Sequence, residues 1–556
     1  MDIRKVTNVF SVAPQLLPSE LEEAKALGFK SIICNRPDGE GPDQPVFDEI
    51  RNEAERLGLT ATYLLVLSGK ITDEQAEQFA EALSSAPKPT LAYCRTGTRS
   101  ITLWALSKAE KIATEELLMS ARAAGYDLHG VVKRIINGGK TPGDQIDFRH
   151  QVVIIGAGAA GIAVASSLKA RAPSLDIAIL DPAEVHYYQP GWTLVGAGVF
   201  TPSQTVKTIS SLIPKGVNWI KSAVAAFLPD ENKLILDGCR VVEYEHLVVC
   251  PGIRLDWDKI EGLTKTLGKN GVTSNYRFDL APYTWELVQK MKSGKAIFTQ
   301  PPMPIKCAGA PQKAMYLSCD HWLKNRVLNN ISVDFCTTLP GLFGVKDYVP
   351  ALMEYVEKYN ANLNFTHQLV AVDGENKVAT FKVTEGDETK LITKEFDMLH
   401  VVPPQSPPGF IKVSPLVDEN GWVDVDQSTL QHKKFANIYS LGDVMNAPNA
   451  KTAAAARMQA PVVAQNLLHD RGLVNKRGIY NGYGSCPLTV ERGKIVLAEF
   501  GYGGKILPSF PGWIINGKRP SRLAWYLKEK ILPPIYWLAM LKGREWMAKP
   551  QDEKTE

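Results

Sequence analysis

The chain has 556 residues, of which 45% are hydrophobic and 22% charged, a composition that excludes a disordered or fibrous protein and predicts three or four domains at roughly 100–200 residues each. Lysine and arginine number 63 against 59 aspartates and glutamates, so charge gives no reason to expect a nucleic-acid partner. Eight cysteines are too few for a disulfide scaffold, and we see neither a leader peptide nor the roughly 20 apolar residues of a membrane span. We therefore expect a cytosolic protein whose non-catalytic thiols are reduced.

Residues 1–138 are predicted to form a small α/β domain. The predicted strands are 9–12, 31–34, 62–66 and 90–94, and the predicted helices are 19–27, 47–57, 73–83 and 100–109. Strands that alternate with helices indicate a parallel sheet covered on both faces. A turn-forming stretch rich in glycine follows, and we interpret residues 139–150 as a linker.

Cys94 is the first residue of a short loop between a predicted strand and a predicted helix, in Tyr-Cys-Arg-Thr-Gly-Thr-Arg-Ser. Backbone N–H groups of such a loop converge on an anion, and Arg95, Arg99 and the helix N-terminus favour a thiolate. Phosphate-ester hydrolysis and sulfane-sulfur transfer both use this kind of cradle. Cysteine phosphatases have the spacing CxxxxxR, whereas Cys94 and Arg99 have CxxxxR, the spacing typical of rhodanese-like sulfurtransferases.

This segment resembles a family of small domains with a dual-specificity-phosphatase-like fold. Its members are described as sulfurtransferases or phosphatases and are sometimes fused to hydrolases of sulfur metabolism. If phosphatase chemistry survives here, Asp38 and Asp43 are candidate general acids. Cys34, at the end of a neighbouring strand, is interpreted as a buried strand cysteine.

A dinucleotide fingerprint begins the next domain. The sequence Gly156-Ala-Gly158-Ala159-Ala160-Gly161 follows a predicted strand at 152–155 and begins a predicted helix that ends at 171. These glycines permit the tight turn, the approach of a pyrophosphate and close packing of helix on strand. Asp181 ends the next predicted strand, where a carboxylate can bind a ribose hydroxyl.

The fingerprint does not separate FAD from NAD, but a second motif does. Gly442 and Asp443 end an apolar strand and precede a predicted helix at 452–468, which resembles the second FAD motif of flavoproteins with two dinucleotide folds. In that motif the aspartate binds the ribityl chain. We therefore predict an FAD-binding Rossmann domain formed by 151–294 and 400–479, and no metal site.

The glycine-rich NAD motif expected near mid-chain is missing. The corresponding strand at 295–299 continues into Gln-Pro-Pro-Met-Pro-Ile-Lys-Cys307, and prolines cannot form a turn that cradles phosphate. We interpret residues 295–399 as a second Rossmann-like domain without a nicotinamide site. Redox chemistry is then expected to use cysteines.

Three longer motifs give a family resemblance over about residues 150–545. They are Pro-Ile-Lys-Cys307-Ala-Gly-Ala-Pro-Gln-Lys, Tyr-Gly-Ser-Cys486-Pro-Leu and a stretch that begins His186-Tyr-Tyr-Gln-Pro-Gly-Trp. The chain resembles the sulfide:quinone oxidoreductases of the branch shared by mitochondria and many bacteria. The resemblance implies that the two motif cysteines flank the flavin as a redox pair, and it implies cofactor contacts at Asp181, Gln189, Val224, Asp443 and, in another matching motif, Lys451.

The implied chemistry is oxidation of hydrogen sulfide to a persulfide on Cys486, with electrons passing through FAD to ubiquinone or another membrane quinone. A small thiol or sulfite would accept the sulfur. A homo-oligomer is possible. Fusion to a persulfide producer favours sulfur transfer for Cys94. The alternatives are a type II NADH:quinone oxidoreductase, which the missing motif disfavours, and a flavoprotein whose N-terminal phosphatase signals. We interpret the remaining cysteines 239, 250, 319 and 336 as buried structural residues.

The C-terminal region, 480–556, carries the expected membrane contact. Residues 518–549 hold eight basic and two acidic side chains, with tryptophans and tyrosines between them. The uncharged run 531–541 is too short to span a bilayer. We predict two short amphipathic helices, split at Pro533-Pro534, that lie on a membrane surface. The predicted fold class is therefore an N-terminal phosphatase-like α/β domain, a tandem-Rossmann flavoprotein and a membrane-surface segment, attached to the cytoplasmic face of a bacterial inner membrane.

Overall fold

The structure is a computed structural model that describes residues 1–41, 44–143 and 145–553. The chain forms two compact units. The first consists of Met1–Arg149, Ser222–Glu243 and Lys412–Pro415, and the second of His150–Lys221, Tyr244–Ile411 and Leu416–Glu556.

The first unit is built on a five-stranded sheet in the order β1-β2-β5-β3-β4. Its strands are β1 Arg4–Lys5, β2 Phe10–Ala13, β3 Ser31–Cys34, β4 Thr60–Tyr63 and β5 Thr90–Tyr93. The pairs β2–β5, β5–β3 and β3–β4 are parallel, as predicted, and β1 is an antiparallel edge strand. The sequence did not predict β1 because a strand of two residues has no detectable periodicity.

Helices cover both faces of this sheet. They are α1 Leu21–Ala26, α2 Phe47–Arg56, α3 Asp73–Ser85, α4 Thr98–Lys108, α5 Thr114–Ala123 and α6 Val132–Ile136. Successive strand residues point to opposite faces, so Ile33 and Ala92 pack in one apolar cluster and Ile32 and Leu91 in the other. An antiparallel hairpin of Val224–Leu228 and Lys233–Leu236 also belongs to this unit.

The first Rossmann sheet of the second unit carries the dinucleotide fingerprint. Ile177–Leu180 pairs in parallel with Phe148–Ile155 on one side and with Val217–Ile220 on the other. Val241–Val249 pairs in parallel with Ile438–Ser440, the strand that precedes Gly442. The helices Ala159–Arg171 and Ala453–Asp470 pack against each other, so the helix that the first motif begins and the helix that follows the second motif lie side by side.

A second parallel sheet lies in the same unit. Its strands, in spatial order, are Val272–Thr273, Met398–His400, Gly294–Gln300, Ile331–Thr337 and Asn362–Asn364. The helices around it are Ala281–Lys290, Ala310–Lys324 and Val349–Lys358, and smaller antiparallel elements are His367–Asp373, Val378–Glu385 and Glu388–Glu395, and the hairpin Gly484–Glu491 with Lys494–Phe500. Two parallel α/β sheets confirm the tandem-Rossmann fold class.

The second unit also contains shorter elements. They are the helices Trp192–Val195 and Leu263–Thr266, and the strand pairs Val185–Tyr187 with Val206–Thr208, Arg254–Leu255 with Gln405–Ser406, and Gly478–Ile479 with Gln551–Asp552. Within the described ranges, none of the helices is both long and apolar enough to cross a bilayer.

The C-terminal segment corrects one prediction. The chain is helical without a break from Arg522 to Lys542, through Leu532–Pro534, so the expected split at Pro533-Pro534 is wrong. A proline lacks the N–H donor and its ring clashes with the carbonyl one turn before it. Here a wider π-helical turn lies on each side, at Leu527–Ile531 and Ile535–Ala539, and such turns relieve that clash.

The same segment corrects the assignment of its side chains. Lys528, Trp525, Tyr536 and Trp537 are buried in the second unit and do not belong to a surface. The other seven basic residues remain exposed. Large apolar side chains are exposed beside them, at Trp513, Leu523, Tyr526, Ile531, Leu538 and Trp546.

Candidate functional site

The fingerprint loop has the backbone that its glycines predict. Gly156 has φ +102°, and a β-carbon there would lie 2.6 Å from the carbonyl oxygen of Cys250. Gly158 faces open space at the start of the helix Ala159–Arg171. Asp181 accepts hydrogen bonds from the N–H of Ala157 at 2.6 Å and of Ala183 at 2.8 Å. A helix N-terminus with an open approach and a nearby carboxylate fits a dinucleotide.

The Gly442–Asp443 motif lies against the fingerprint loop. Gly442 has φ +80°, and a β-carbon there would lie 3.2 Å from the Cβ of Ala160. The next residue, Asp443, is enclosed, and burial raises the pKa of its carboxyl while Lys451 and Lys306 oppose that rise. Nζ of Lys451 donates to the carbonyl oxygens of Asp443 at 2.7 Å and Met445 at 2.9 Å.

Buried amide groups around these motifs fit a polar cofactor. Within the described ranges, Nε2 of Gln405 is a buried donor without an acceptor, and Nε2 of Gln459 is a buried donor with only the Tyr480 hydroxyl near it. Oε1 of Gln459 accepts from Gly442 N–H at 2.8 Å, and Oε1 of Gln405 accepts from Lys306 N–H at 2.9 Å. Because buried donors normally find a partner, we regard these groups as fitting the polar atoms of FAD.

Two other predicted cofactor residues lie in different surroundings. Gln189 is exposed, and its Oε1 accepts from Nζ of Lys306 at 2.7 Å. Burial lowers the pKa of Lys306 to about 8. Val224 is buried at the start of its hairpin strand, paired with Leu236 in the first unit.

Cys307 and Cys486 lie together. Their Sγ atoms are 3.8 Å apart although 179 residues separate them in the chain. Cys307 precedes the helix Ala310–Lys324, and Cys486 lies in the hairpin strand Gly484–Glu491. A disulfide requires about 2.05 Å between the sulfurs, so the pair can form one when the two thiols approach further and lose two electrons and two protons.

The backbone of Cys307 is held in an uncommon conformation. Its φ is +48°, in the left-handed region that side chains with a β-carbon rarely adopt. Its N–H donates to the carbonyl oxygen of Lys451 at 2.8 Å. The Tyr276 hydroxyl donates to the carbonyl oxygens of Lys306 at 3.0 Å and Cys307 at 3.1 Å. These contacts connect the cysteine directly to the Asp443–Lys451 region.

Two buried lysines accompany the cysteine pair, and the sequence reasoning missed both. Nζ of Lys313 lies 3.1 Å from Sγ of Cys307. The hydrogen bond from Cys486 is the largest cause that lowers the pKa of Cys307 well below its usual value, and the charge of Lys313 adds to it against the effect of burial. For Cys486, the bond to Cys307 and burial raise the pKa. With Lys313 beside Cys307, the arrangement favours the thiolate at Cys307 over the thiolate at Cys486.

The second lysine comes from the C-terminal helical segment. Burial and, to a smaller extent, the charge of Lys313 lower the pKa of Lys528 to about 7. Cys307 and Cys486 act on it in the opposite direction. Lys313 was predictable in part, because it belongs to the Cys307 motif. No pattern in the sequence around Lys528 predicts that it belongs to the site.

A buried histidine connects the fingerprint loop to the same C-terminal segment. Nδ1 of His186 lies 3.0 Å from the carbonyl oxygen of Ala157, and Nε2 lies 2.6 Å from the hydroxyl of Tyr536. Since a carbonyl only accepts, Nδ1 carries the proton and Tyr536 donates to Nε2. Burial lowers the pKa of His186, which keeps the ring neutral.

The other cysteines of the second unit are buried and lie outside this site. Burial raises the pKa of Cys250 and of Cys319, and raises that of Cys336 to about 12. In the first unit, Cys239 is half-buried with a raised pKa for the same reason. Raised pKa values disfavour the reactive thiolate.

The first unit holds a second cysteine site at the carboxyl ends of its parallel strands. Cys94 follows β5 and is 1% exposed. Gly97, with φ +88°, donates its N–H to Sγ of Cys94 at 3.2 Å and is the N-cap of α4. The hydroxyl of Tyr126 donates to the carbonyl oxygen of Thr96 at 3.1 Å. One backbone N–H of the loop therefore lies on the sulfur, and the prediction that several converge on an anion there stays a prediction.

Arg99 is buried and bound to a carboxylate. Its Nη1 and Nη2 donate to Oε1 and Oε2 of Glu40 at 2.8 Å and 2.7 Å, and Nη1 also donates to the carbonyl oxygen of Val66 at 2.8 Å. Nε of Arg36 donates to Glu40 at 2.9 Å. Glu40 was not predicted, because nothing in its local sequence relates it to Arg99.

The remaining predictions for the first unit concern neighbouring side chains. Oδ1 of Asp38 accepts from Phe47 N–H at 2.9 Å, at the start of α2. Asp43 lies outside the described residues. Cys34 is buried beside Tyr93 of β5, and burial raises the pKa of its thiol to about 11, consistent with a strand cysteine.

Two family models match this chain. Residues 2–111 match the phosphatase-like domain of Beta-lactamase hydrolase-like protein, and residues 150–288 match Pyridine nucleotide-disulphide oxidoreductase. A Beta-lactamase hydrolase-like protein from Xylella fastidiosa is 31% identical over 130 residues, which cover 23% of this chain and 30% of that protein.

The second unit has longer relatives. The mitochondrial sulfide:quinone oxidoreductase of Dictyostelium discoideum is 43% identical over 404 residues, covering 72% of this chain and 87% of that protein. The crystal structure of the sulfide:quinone oxidoreductase of Aquifex aeolicus superposes with a TM-score of 0.59 at 17% identity, covering 71% of this chain and 92% of that chain. At that identity the superposition shows the fold alone.

Proposed function

The chain belongs to the sulfide:quinone oxidoreductase family, and on that basis we propose that Cys307 and Cys486 are the cysteines that oxidise sulfide. It is an FAD-dependent enzyme with sulfide as substrate and quinone as electron acceptor. The observation that carries the proposal is the 3.8 Å between two sulfurs that lie 179 residues apart in sequence. A buried cation at one of them supports it.

The reaction begins with the pair as a disulfide. Hydrosulfide attacks Sγ of Cys486, a new S–S bond forms, the bond to Cys307 breaks, and Cys307 leaves as a thiolate. A thiolate or sulfite acceptor then attacks the outer sulfur of the Cys486 persulfide, and Cys486 leaves in turn. The dithiolate returns to the disulfide by losing two electrons. With a thiol acceptor RSH, hydrogen sulfide and quinone become RSSH and quinol.

Bound FAD supplies the two-electron acceptor that serves the quinone, and Gly156, Gly158, Asp181, Gly442 and Asp443 would hold it. The lysines serve the sulfur chemistry. Lys313 stabilises the Cys307 thiolate, which is first the leaving group and later the electron donor. To Lys528, whose pKa is lowered to about 7 by burial, we assign acceptance of the proton from hydrogen sulfide.

Anaerobic flavin spectra test this function directly. Sulfide is expected to bleach the flavin absorbance of the purified protein, and quinone to restore it. NADH is expected to leave the spectrum unchanged, because the nicotinamide motif is missing. Bleaching by NADH and none by sulfide would instead identify an NADH:quinone oxidoreductase.

For the first unit, we propose that Cys94 carries sulfane sulfur away from the oxidation reaction. The Cys94 thiolate attacks the outer sulfur of a persulfide, forming one S–S bond as the donor's S–S bond breaks, with no net oxidation. The short CxxxxR loop, with Gly97 N–H on the sulfur, supports a ligand smaller than a phosphoryl group. One chain holds both sites, which raises their effective concentration for each other.

Product analysis tests the role of Cys94. Cys94→Ser is expected to leave single-turnover flavin reduction intact and to lower formation of thiosulfate or glutathione persulfide. Cys239→Ser, a half-buried cysteine of the same unit, is the matched control. If products and rates stay unchanged while hydrolysis of a phosphoester disappears, the domain is a phosphatase.

We further propose that the exposed basic and apolar residues of 513–549 attach the protein to the membrane that dissolves the quinone, on the cytoplasmic face of a bacterial inner membrane. Interfacial segments combine these two kinds of side chain. As functional domains we propose the bounds set from the sequence, which are 1–138, 151–294 with 400–479, 295–399 and 480–556. They differ from the compact units, because Ser222–Glu243 and Lys412–Pro415 belong to the first unit.

A further inference from the structure

Glu40 accepts three hydrogen bonds from arginines of the Cys94 site and has no part in the proposed sulfur transfer. It accepts from both terminal nitrogens of Arg99, in the two-bond geometry that fixes a guanidinium plane. It also accepts from Nε of Arg36 at 2.9 Å. Arg36 is anchored in turn, because its Nη1 donates to Oε1 of Gln15 at 2.8 Å.

Among the described residues, the contacts of Arg99 leave one edge of its guanidinium without a hydrogen-bond acceptor. A guanidinium has five N–H groups. Both hydrogens of Nη1 are used, by Glu40 and by the carbonyl oxygen of Val66, and one hydrogen of Nη2 is used by Glu40. The Nε hydrogen and the second Nη2 hydrogen remain, and these two lie parallel on one edge.

Arg99 interacts electrostatically with the cysteine. Although burial lowers the pKa of Arg99, its bond to Glu40 and the charge of Cys94 raise it overall. Arg99 lies in the first turn of α4, whose N-cap Gly97 donates to Sγ of Cys94. The side chain of Arg99 is 7% exposed, so it has little freedom to adopt another orientation without its carboxylate partner.

We propose that Glu40 is the positioning residue of the Cys94 site, holding Arg99 so that its free two-donor edge stabilises the Cys94 thiolate and the anionic sulfur bound to it. The identity of the bound sulfur rests on the proposed function, whereas the pairing of Glu40 with Arg99 does not depend on it. Removing the negative charge has two opposing effects. If Arg99 loses its position, the Cys94 thiolate becomes less stable. If the negative charge of Glu40 is simply removed from the neighbourhood, the thiolate becomes more stable.

The sign of the effect therefore decides the question. In the full-length holoprotein, the rate of alkylation of Cys94 by iodoacetamide is measured against pH by mass spectrometry of the tryptic peptide that carries it. Glu40→Gln is expected to move the half-maximal pH upward and to slow alkylation at pH 7 about tenfold, as expected for loss of one charge-assisted hydrogen bond. Glu40→Asp, which keeps the charge, should recover part of the rate.

Glu53→Gln is the matched control, because Glu53 binds Arg56 through two bonds in the same unit, on exposed α2. An unchanged or downward-shifted profile for Glu40→Gln would overturn the proposal. If Glu40→Gln lowers the thermal stability of the first unit, Arg36→Gln carries the same test, since it removes the partner that holds Glu40. The alkylation rate depends on the ionisation of Cys94 and not on the group that Cys94 transfers. The result therefore stands even if the sulfur-delivery assay fails.

Discussion

Gly309 faces Cys486 so closely that a β-carbon at position 309 would lie 2.5 Å from Sγ of Cys486, with Leu488 against it as well. The φ of Gly309 is −85°, so its conformation suits any residue and only the space requires glycine. We expect Gly309→Ala to displace Cys486 from Cys307, to lower sulfide-dependent quinone reduction at least about tenfold and to cost about 1–3 kcal/mol of stability.

The measurement is quinone reduction per bound flavin. Gly341→Ala is the control, because a β-carbon at Gly341 meets nothing within 4 Å. Normal turnover in Gly309→Ala would mean that the distance between the two sulfurs does not limit the reaction.

The redox pair gives the most direct prediction. Cys307→Ser and Cys486→Ser are each expected to abolish sulfide-dependent quinone reduction and to retain FAD, because neither side chain belongs to the dinucleotide loop. The buried Cys336→Ala provides the comparison. Turnover near the wild-type rate in either serine variant would exclude that cysteine from the chemistry.

Lys313 is expected to control the ionisation of Cys307. Removing this cation raises the pKa of Cys307, so the thiolate forms only at higher pH. In Lys313→Met, the pH profile for alkylation of Cys307 in the reduced protein should move upward by about one unit or more. Lys324→Met, which removes an exposed lysine of the same helix, should leave the profile unchanged, and a shift of equal size there would contradict the assignment.

Asp443→Ala is expected to yield a preparation that has lost most of its flavin. The charges of Lys451 and Lys306 act on this carboxylate, and its removal takes away the proposed cofactor contact and leaves those charges unbalanced. Flavin content per protein is the readout. Full flavin occupancy would mean that Asp443 does not hold the cofactor.

Membrane attachment is best tested with point substitutions. Leu523 and Leu538 are 47% and 57% exposed, and Leu523→Glu with Leu538→Glu should release the protein from anionic vesicles and slow reduction of long-chain quinones more than soluble analogues. Leu391→Glu, at a position 68% exposed in another element, is the control. Truncation of the segment would be ambiguous, because it also removes buried Lys528.

Local features of the sequence predicted local structure well. The parallel strands of the first unit, the fingerprint turn at Gly156 and the turn at Gly442 depend on residues within a few positions, and the structure has each of them. The Cys307 and Cys486 motifs were found through resemblance, since no local pattern relates residues 179 positions apart.

The parts that were missed depend on distant contacts. Glu40 binds Arg99 across 59 residues, and the charge of Lys528, in the C-terminal segment, acts on the cysteine pair. That segment was misread because two adjacent prolines usually end a helix, whereas the π-helical turns on either side allow it to continue.

The hydrogen bond between His186 and Tyr536 joins residues 350 positions apart, and it has a consequence for how the protein is made. At about 5–20 residues per second, the loop that His186 supports leaves the ribosome roughly 20–70 s before Tyr536 does. During that interval Nε2 of the imidazole lacks its donor. We therefore expect tight capture of the cofactor to follow translation, so that cells short of flavin accumulate full-length apoprotein rather than stalled chains.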